Sequence, residues 1–424
     1  METATLTRSA GLDSTPGPVH ENRVAVSAVI PCLNEEQTLG LCIEKAFRGF
    51  AELGVPGEVV VADNGSTDRS VEIARNLGAR VIHERRKGYG AALLRGITES
   101  YGEVIVMADA DDSYDWTAIA PFVRKIREGY DLVMGNRFKG GIRDGAMPNL
   151  HRYLGNPVLS LIARIAFRTP IGDFHCGMRA FTRAAFERMQ LKTTGMEFAT
   201  EMVANASHQG LRIAEIPVVL YPDKRNRPPH LRSFRDGWRH LRFILTYAPD
   251  YLYLVPGALM LLPGVALQAL LAGGPVTVHG AYIGIHFLAL GSLLTLVGFN
   301  VINLGVLAKT LMAQRYSGLK SRTVRLISRK FSLEAGLISG VVLSFLGTAL
   351  DAAIAAKWIA ASGTMESNVH LAFVATTALV LGLNLICSSF LLNLILVEGD
   401  NGAHRQGAPH AAHGHPARDA PERL

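Results

Sequence analysis

Four apolar stretches, at about residues 252–272, 281–312, 335–356 and 371–397, constrain what this chain can fold into more than any other feature of its sequence. Each reaches the ~20 residues that an α-helix needs to cross the hydrocarbon of a bilayer. A backbone inside lipid must satisfy its own hydrogen bonds, so four transmembrane helices are the expectation over 250–397. The loops between them differ sharply in charge. The loop 315–330 carries Arg315, Lys320, Arg322, Arg325, Arg329 and Lys330 with no acidic residue, whereas 273–280 and 357–370 hold only Lys357 and Glu366 between them. Basic loops stay on the cytoplasmic side, which puts 315–330, both termini and everything before residue 250 in the cytosol, and makes the chain a multi-pass protein of the cell's inner membrane.

Most of the charge lies before residue 250, so the mean hydropathy of +0.20 averages two unlike halves. The net charge of +7 and pI near 9.3 reflect cations clustered beside the apolar stretches; that placement suits anionic lipid headgroups and argues against nucleic acid. Cys32, Cys42, Cys176 and Cys387 have no C-x-x-C spacing, which argues against a zinc site and against a secreted disulfide scaffold. The polar N-terminus has no apolar h-region, so it is no secretory signal, and residues 1–23 are expected to be disordered. The tail 398–424, rich in Gly, Ala, Pro and His, is expected to be disordered as well.

Residues 24–230 read as an α/β domain. AVSAVIPC, VVVADN, ARVIHE, EVIVMADAD and DLVMGNR are apolar runs of strand length, and helical patterns begin near Glu36, Asp68, Gly88 and Thr117. Near-continuous apolar strands alternating with helices imply a mostly parallel, Rossmann-like sheet covered on both faces. A helix from about His151 to Phe167, another from about Glu197 and a last strand, RIAEIPVVL, complete the domain. Beyond the basic, Pro-rich 221–230, residues 231–249 form an amphipathic pattern. Leu231, Phe234, Trp238, Leu241 and Leu245 recur at helical spacing with Arg232, Arg235, Arg239 and Arg242 beside them, a pattern shared by surface helices docked on a soluble domain and by juxtamembrane helices lying in the interface; its place just before a span favours the second.

In a parallel sheet ligands sit at the carboxyl ends of the strands. Asn34, Asp63 and the Asp109–Asp111–Asp112 cluster each follow a strand. Two carboxylates one residue apart, as in Asp109 and Asp111, can share one hard cation, and such a cation neutralises a departing diphosphate. Alone, a D-x-D is as readily a solvated acidic loop. In D-N-G-S-T-D, residues 63–68, Asp63 can accept from a base or ribose, and the segment can equally be a turn and helix cap. Lys87, Gly88 and Gly90 suit either a phosphate approach or a helix start.

The motifs carry more as an ordered set: IPCLNEEQTL (30–39), ADNGSTD (62–68), RRKGYGAALLRG (85–96), MADADDSYD (107–115), GNRF (135–138) and DFHCGMRAF (173–181). Over about residues 25–245 this set resembles the inverting family 2 glycosyltransferases, within them the polyprenyl-phosphate (dolichol-phosphate-type) mannosyl- and glucosyltransferases, and the four spans resemble the C-terminal anchor of some members. The resemblance implies a glycosyltransferase-A domain and transfer of a hexose from a nucleotide-sugar, of the UDP-glucose or GDP-mannose class, to a polyprenyl-phosphate lipid. It implies that Pro31, Leu33 and Glu35 line the nucleotide pocket, that Asp63 holds the base, and that Asp109 and Asp111 take Mg²⁺ or Mn²⁺ with the diphosphate. Ser113 stands where many relatives have glutamine as a further ligand, and Asn64 replaces the commoner second aspartate. Arg137 is placed at the phosphate near the reacting centre, Asp173 at the reaction centre with Asp111, and Arg152 and Asn156 at the acceptor phosphate. Apart from the resemblance, the basic flank of the 231–249 helix is expected to bring Arg232 and Arg235 to the acceptor phosphate and to steer it in from the membrane. The motifs fix neither lipid length nor whether the protein is a monomer or a homo-oligomer.

Two other enzyme classes share parts of this pattern. A sugar-nucleotidyltransferase would need a Gly-rich phosphate loop after the first strand, where this chain has PCLNEEQ, and a processive synthase would carry Q-x-x-R-W, a string that does not occur. The remaining alternative is an inactive glycosyltransferase-like domain on a lipid-handling membrane scaffold; the intact Asp63, Asp109, Asp111, Arg137 and Asp173 weigh against it.

Overall fold

The computed structural model of the chain describes residues 24–224, 233–315, 332–360 and 369–406. It divides into two compact units, Met1–His240 and Leu241–Leu424.

The first unit is built on a seven-stranded sheet in the order β3-β2-β1-β4-β6-β5-β7. Strands β1 (Val26–Cys32), β2 (Gly57–Asp63), β3 (Arg80–His83) and β4 (Val104–Met107) are mutually parallel. Every residue of VSAVIPC in β1 is buried, as expected for a strand covered on both faces. Helices α1 (Leu39–Leu53), α2 (Ser70–Asn76), α3 (Tyr89–Glu99) and α4 (Ile119–Arg127) alternate with these strands, close to where their sequence patterns begin. Strand β5 (Leu132–Asn136) is not β4's neighbour. A short strand, β6 (Arg179–Thr182), lies antiparallel between the two, and β7 (Ile213–Pro217) pairs parallel with β5 on the far side. The sequence pattern places no strand between DLVMGNR and RIAEIPVVL; the structure adds one there, and the last residues of DFHCGMRAF enter the sheet. Because β5 also opposes β6, it keeps the direction of β4, and β1, β2, β4 and β5 all end at one edge. Helices α5 (Arg137–Gly140), α6 (Asn156–Phe167), α7 (Arg183–Met189) and α8 (Phe198–His208) complete this unit, with a π-helical turn, His151–Gly155, leading into α6.

Helix α9 (Ser233–Tyr247) carries the boundary between the units. Trp238 is 58% exposed, Leu241 and Leu245 are half-buried, and His240, Phe243 and Ile244 are buried, so the buried side of α9 is not the apolar stripe read from the sequence. Arg235 and Arg242 are exposed. Leu231 and Arg232 lie outside the described residues.

Four helices of the second unit are long and apolar enough to cross a membrane: Asp250–Leu271, Ile285–Ala313, Leu333–Ala360 and Val369–Val397. The first comprises a π-turn, Asp250–Leu254, followed by α10 (Val255–Leu271); the others lie in α11 (Ile285–Arg315), α12 (Leu333–Ala360) and α13 (Val369–Gln406). The second apolar stretch begins not in helix but in β9 (Ala281–Ile283), which forms a hairpin with β8 (Val276–Val278) of the preceding loop, and α13 continues past residue 397 to Gln406. Small residues let the helices approach closely, as lipid-embedded packing requires. A Cβ at Gly264 would stand 2.6 Å from Thr295 N, and one at Gly347 2.6 Å from Leu379 N. Gln268 donates to Thr295 Oγ1 (2.8 Å), and Ser292 and Thr377 share a bond of 2.6 Å. Within the apolar helices, Asp351 accepts from Thr376 at 3.4 Å. The basic loop at 316–330 lies outside the described residues.

Candidate active site

The edge where β1, β2, β4 and β5 end gathers the chemistry-bearing residues. After β4, Asp109 is half-buried; its Oδ1 accepts from the Tyr89 hydroxyl at 3.0 Å, and its backbone carbonyl accepts from Trp116 Nε1 at 3.2 Å. Burial first, and then the neighbouring Asp109 charge, hold the Tyr89 phenol well above its ordinary range, so it stays a donor. A Cβ at Gly177 would lie 2.6 Å from Asp109 Oδ2, so the loop that follows Asp173 packs directly against this carboxylate, and only glycine fits there. Asp111 Oδ1 accepts from Ser113 N (3.1 Å) and Ser113 Oγ (2.5 Å). Asp112 is buried with φ of 57°, and its two oxygens are taken by Lys45 (2.5 Å) and Lys224 (2.6 Å). It is a structural tie, whereas Asp109 and Asp111 are the pair that could hold a cation.

That donor set fits Mg²⁺ or Mn²⁺. It is oxygen-only, and such ions use one or two carboxylates and take the rest of their shell from water and substrate phosphate. Among the described residues no cluster of three or more His, Cys, Asp and Glu could hold a metal without such help. The Ser113 hydroxyl is spent on Asp111, so it orients that carboxylate in this state.

The ends of β1 and β2 are laced together. Pro31 pairs with Ala62 and Cys32 with Asp63 in register. Asn34, at φ of 59°, accepts from Thr67 N at 2.7 Å, while Glu35 N and Glu36 N donate to Ser70 Oγ (2.8 Å) and Asp68 Oδ2 (3.1 Å). Pro31 and Glu35 are buried and Leu33 is half-buried in this corner. Asp63 accepts from Ser66 N (2.9 Å), Gly65 N (3.2 Å) and His83 Nδ1 (2.9 Å). Burial alone would raise its carboxyl; the bonds from Ser66, His83 and Gly65 outweigh it and hold the group below the usual carboxylate range. The Asp63 side chain thus shapes the turn and remains a charged acceptor at the strand end.

Asn64 explains its own departure from the commoner aspartate. Its amide donates to the carbonyls of Glu84 (3.0 Å) and Arg86 (2.8 Å), and its oxygen accepts from Gly88 N (2.8 Å). A carboxylate cannot make the two donor bonds. Lys87 Nζ binds the Asn64 carbonyl at 2.9 Å. A Cβ at Gly88 would run into the Thr194 carbonyl oxygen, and one at Gly90 would stand 2.6 Å from Thr193 O. Close approach to the 193–195 backbone is therefore what these glycines permit.

After β5, Arg137 and Asp173 bind each other. Arg137 donates to Asp173 through its backbone N (3.0 Å), Nε (2.7 Å) and Nη2 (2.8 Å), and both side chains are buried. Burial opposes ionisation of Asp173, but the Arg137 charge and its bonds prevail and hold the carboxyl below its ordinary range. Glu215 of β7 braces the pair: its Oε1 accepts from Gly172 N (2.7 Å) and Asp173 N (3.0 Å), its Oε2 from Asn136 Nδ2 (3.1 Å) and Lys139 Nζ (3.0 Å). The 173–179 loop is further fixed by Arg179, fully buried, which donates to the carbonyls of Cys176 (2.9 Å), Phe174 (3.0 Å) and Ala199. Tyr114 accepts from Gly177 N at 2.9 Å. His175 packs edge-on against His240 with ring centroids 4.7 Å apart, and burial pushes its imidazole well below its ordinary range.

Sequence reasoning missed Glu215, Tyr89, Tyr114 and the buried Arg179. Glu215 stands out only as a charged residue inside the apolar run RIAEIPVVL, which does not show what it binds, and Arg179 gave no such signal. Arg152 and Asn156 sit where α6 begins: the Arg152 guanidinium lies over the Tyr153 ring at 5.4 Å, and Asn156 donates to Met147 Sδ at 3.4 Å. Neither bonds to the Arg137–Asp173 pair.

Residues 27–190 match the model of glycosyl transferase family 2, and residues 306–396 match that of the glycosyltransferase family 2 C-terminal transmembrane region. The low-salt glycan biosynthesis hexosyltransferase Agl6 of Haloferax volcanii is 40% identical over 369 residues, covering 87% of this chain and 88% of that protein. The chain belongs to the family 2 glycosyltransferases. A dolichyl-phosphate hexose transferase from the same organism is 33% identical over 197 residues, covering 46% of this chain and 81% of the relative. Among solved structures, glucosyl-3-phosphoglycerate synthase from Mycobacterium tuberculosis is similar at 23% identity with a TM-score of 0.41, over 53% of this chain and 78% of that one. The protein is thus a glycosyltransferase, and it carries the transmembrane region found in its family.

Proposed function

We propose that this glycosyltransferase moves a hexose, with inversion, from a cytosolic nucleotide-sugar of the UDP-glucose or GDP-mannose class to polyprenyl phosphate at the membrane surface. The observation that supports it most is the gathering of Asp63, the Asp109–Asp111 pair and the Arg137–Asp173 pair at one sheet edge, in a chain whose relatives include a dolichyl-phosphate hexose transferase. Pro31, Leu33, Glu35 and Asp63 receive the nucleotide. When bound, a divalent cation on Asp109 and Asp111 neutralises the charge that develops on the departing diphosphate. Tyr89 and Gly177 hold Asp109 in place, and Ser113 orients Asp111.

Asp173 fixes the Nε–Nη2 edge of Arg137, which leaves the other N–H groups of the guanidinium for a phosphate oxygen. A phosphate monoester is largely ionised at neutral pH, its second pKa being near ~6, so its oxygen attacks the anomeric carbon without a strong general base. Asp173, held charged below the usual carboxylate range, orients the acceptor by way of Arg137. Arg152 and Asn156 receive the acceptor phosphate. Arg232, Arg235 and the exposed Trp238 hold α9 at the headgroups, with the catalytic unit and both termini in the cytosol.

The test is Asp111→Asn in the purified full-length protein. Transfer should fall by more than tenfold, and wild-type transfer should stop when the divalent cation is chelated and return when Mg²⁺ or Mn²⁺ is restored. A variant keeping more than a tenth of the rate, equivalent to a barrier raised by less than ~1.4 kcal/mol, would remove the two-carboxylate assignment.

A further inference from the structure

Helix α6 and the turn before it present two unlike faces. On one, Ser160, Ala163 and Phe167 are buried, and Ser160 Oγ accepts from the backbone of Phe174, next to Asp173, at 3.3 Å. On the other, Leu150, Leu154, Val158, Leu161 and Ile165 recur at spacings of four, four, three and four and are 43–57% exposed, with Tyr153 beside them at 70%. This is a continuous apolar stripe on one side of a helix, not a scatter of single residues, and patches of this kind mark a partner surface or a membrane.

The surroundings of the stripe select between those occupants. From Gly145 to Gly172 there is no Asp or Glu, while Arg152, Arg164 and Arg168 lie along the segment, the last two exposed. Apolar residues along one face, an aromatic ring with an arginine over it, and cations without acidic neighbours are the composition of a helix that lies in an anionic lipid interface. The same chain carries four membrane-spanning helices, so its first unit is held at a bilayer without needing α6 for affinity. We propose that α6 and the turn before it form a second interfacial element of this protein, belonging to the catalytic unit itself, whose stripe from Leu150 to Ile165 lies in the anionic cytosolic leaflet. The inner face of that helix binds the backbone beside Asp173, so the leaflet contact is one helix diameter from the reacting pair. The membrane contact is independent of which sugar or lipid is processed.

Full-length protein in nanodiscs containing phosphatidylglycerol tests this without an activity assay. Cys387→Ser removes the exposed cysteine, and Cys32, Cys42 and Cys176 are buried. An environment-sensitive fluorophore is then attached through Leu161→Cys, through Leu154→Cys as a second stripe position, or through Glu72→Cys on α2 as an exposed control. At both stripe positions the emission should shift to the blue and be quenched by a nitroxide on the upper acyl chain, and the control should show neither. Replacing phosphatidylglycerol by phosphatidylcholine should weaken the quenching. Stripe positions that behave like the control would overturn the proposal, and so would a blue shift without nitroxide quenching, which would mean that a second copy of the chain covers the face.

Discussion

The Arg137–Asp173 pair is the most sensitive point of the structure. Asp173→Asn preserves the shape but removes the charge and turns one acceptor into an N–H facing the guanidinium donors. The three bonds at 2.7, 2.8 and 3.0 Å lie out of solvent, so a buried guanidinium is left without a counter-charge. Breaking a buried pair from one side costs about 3–5 kcal/mol. For a unit of this size each kcal/mol moves the transition by ~2–4 °C, so the melting temperature of the catalytic unit should fall by roughly 6–20 °C. Removing both charges with Arg137→Met and Asp173→Leu should restore part of this, because neither ion is then stranded, and turnover should stay lost. Thermal unfolding of the single and double variants in detergent, followed by intrinsic fluorescence and combined as a double-mutant cycle, reads the coupling directly. A loss below ~1 kcal/mol for Asp173→Asn, or strictly additive single effects, would refute the reasoning that the pair acts as one buried unit.

Asn64→Asp should destabilise by about 1–3 kcal/mol, since two carbonyls lose their donors and meet a carboxylate, and denaturant unfolding would show it. His175 takes up its proton far more readily unfolded than folded, so its contribution to stability is full above pH 6.5 and is lost as pH falls below it, at ~1.4 kcal/mol per pH unit. His175→Gln should flatten that slope between pH 6.5 and 5, and an unchanged slope would contradict it. Single cysteines at Ser321 and Ser362, both outside the described residues, should label from opposite faces of sealed vesicles; labelling from one face would exclude the four-span topology with a cytosolic basic loop.

Strands β1–β5 were legible because parallel strands covered on both faces are largely apolar, as in VSAVIPC, and the spans because lipid demands long apolar runs. Strand β6 was not legible: four residues beginning with an arginine give no periodic signal, and Arg179 is tolerable there only because backbone carbonyls surround it. The carboxylates of the candidate site could be read from their positions after strands, but Glu215 could not, since nothing in RIAEIPVVL tells that its carboxylate reaches two backbone N–H groups across the sheet. The pairing of Arg137 with Asp173 joins residues 36 positions apart and is visible only in the fold. On α6 the sequence pattern shows a helix, but an apolar stripe reads as core until the structure leaves it uncovered. The same limit applied to α9, where the bond between His240 and Thr200, at 2.8 Å, anchors a face that the apolar spacing did not mark.

The central claim is that this protein makes a polyprenyl-phosphate hexose. Purified protein incubated with Mg²⁺ or Mn²⁺, polyprenyl phosphate and a panel of UDP- and GDP-hexoses, followed by mass spectrometry of the lipid fraction, tests it most directly. One donor should yield a lipid heavier by one hexose residue, with the nucleoside diphosphate released in equal amount and the anomeric configuration inverted. A lipid left unglycosylated with every donor, while the sugar appears on a soluble acceptor or on water, would contradict it.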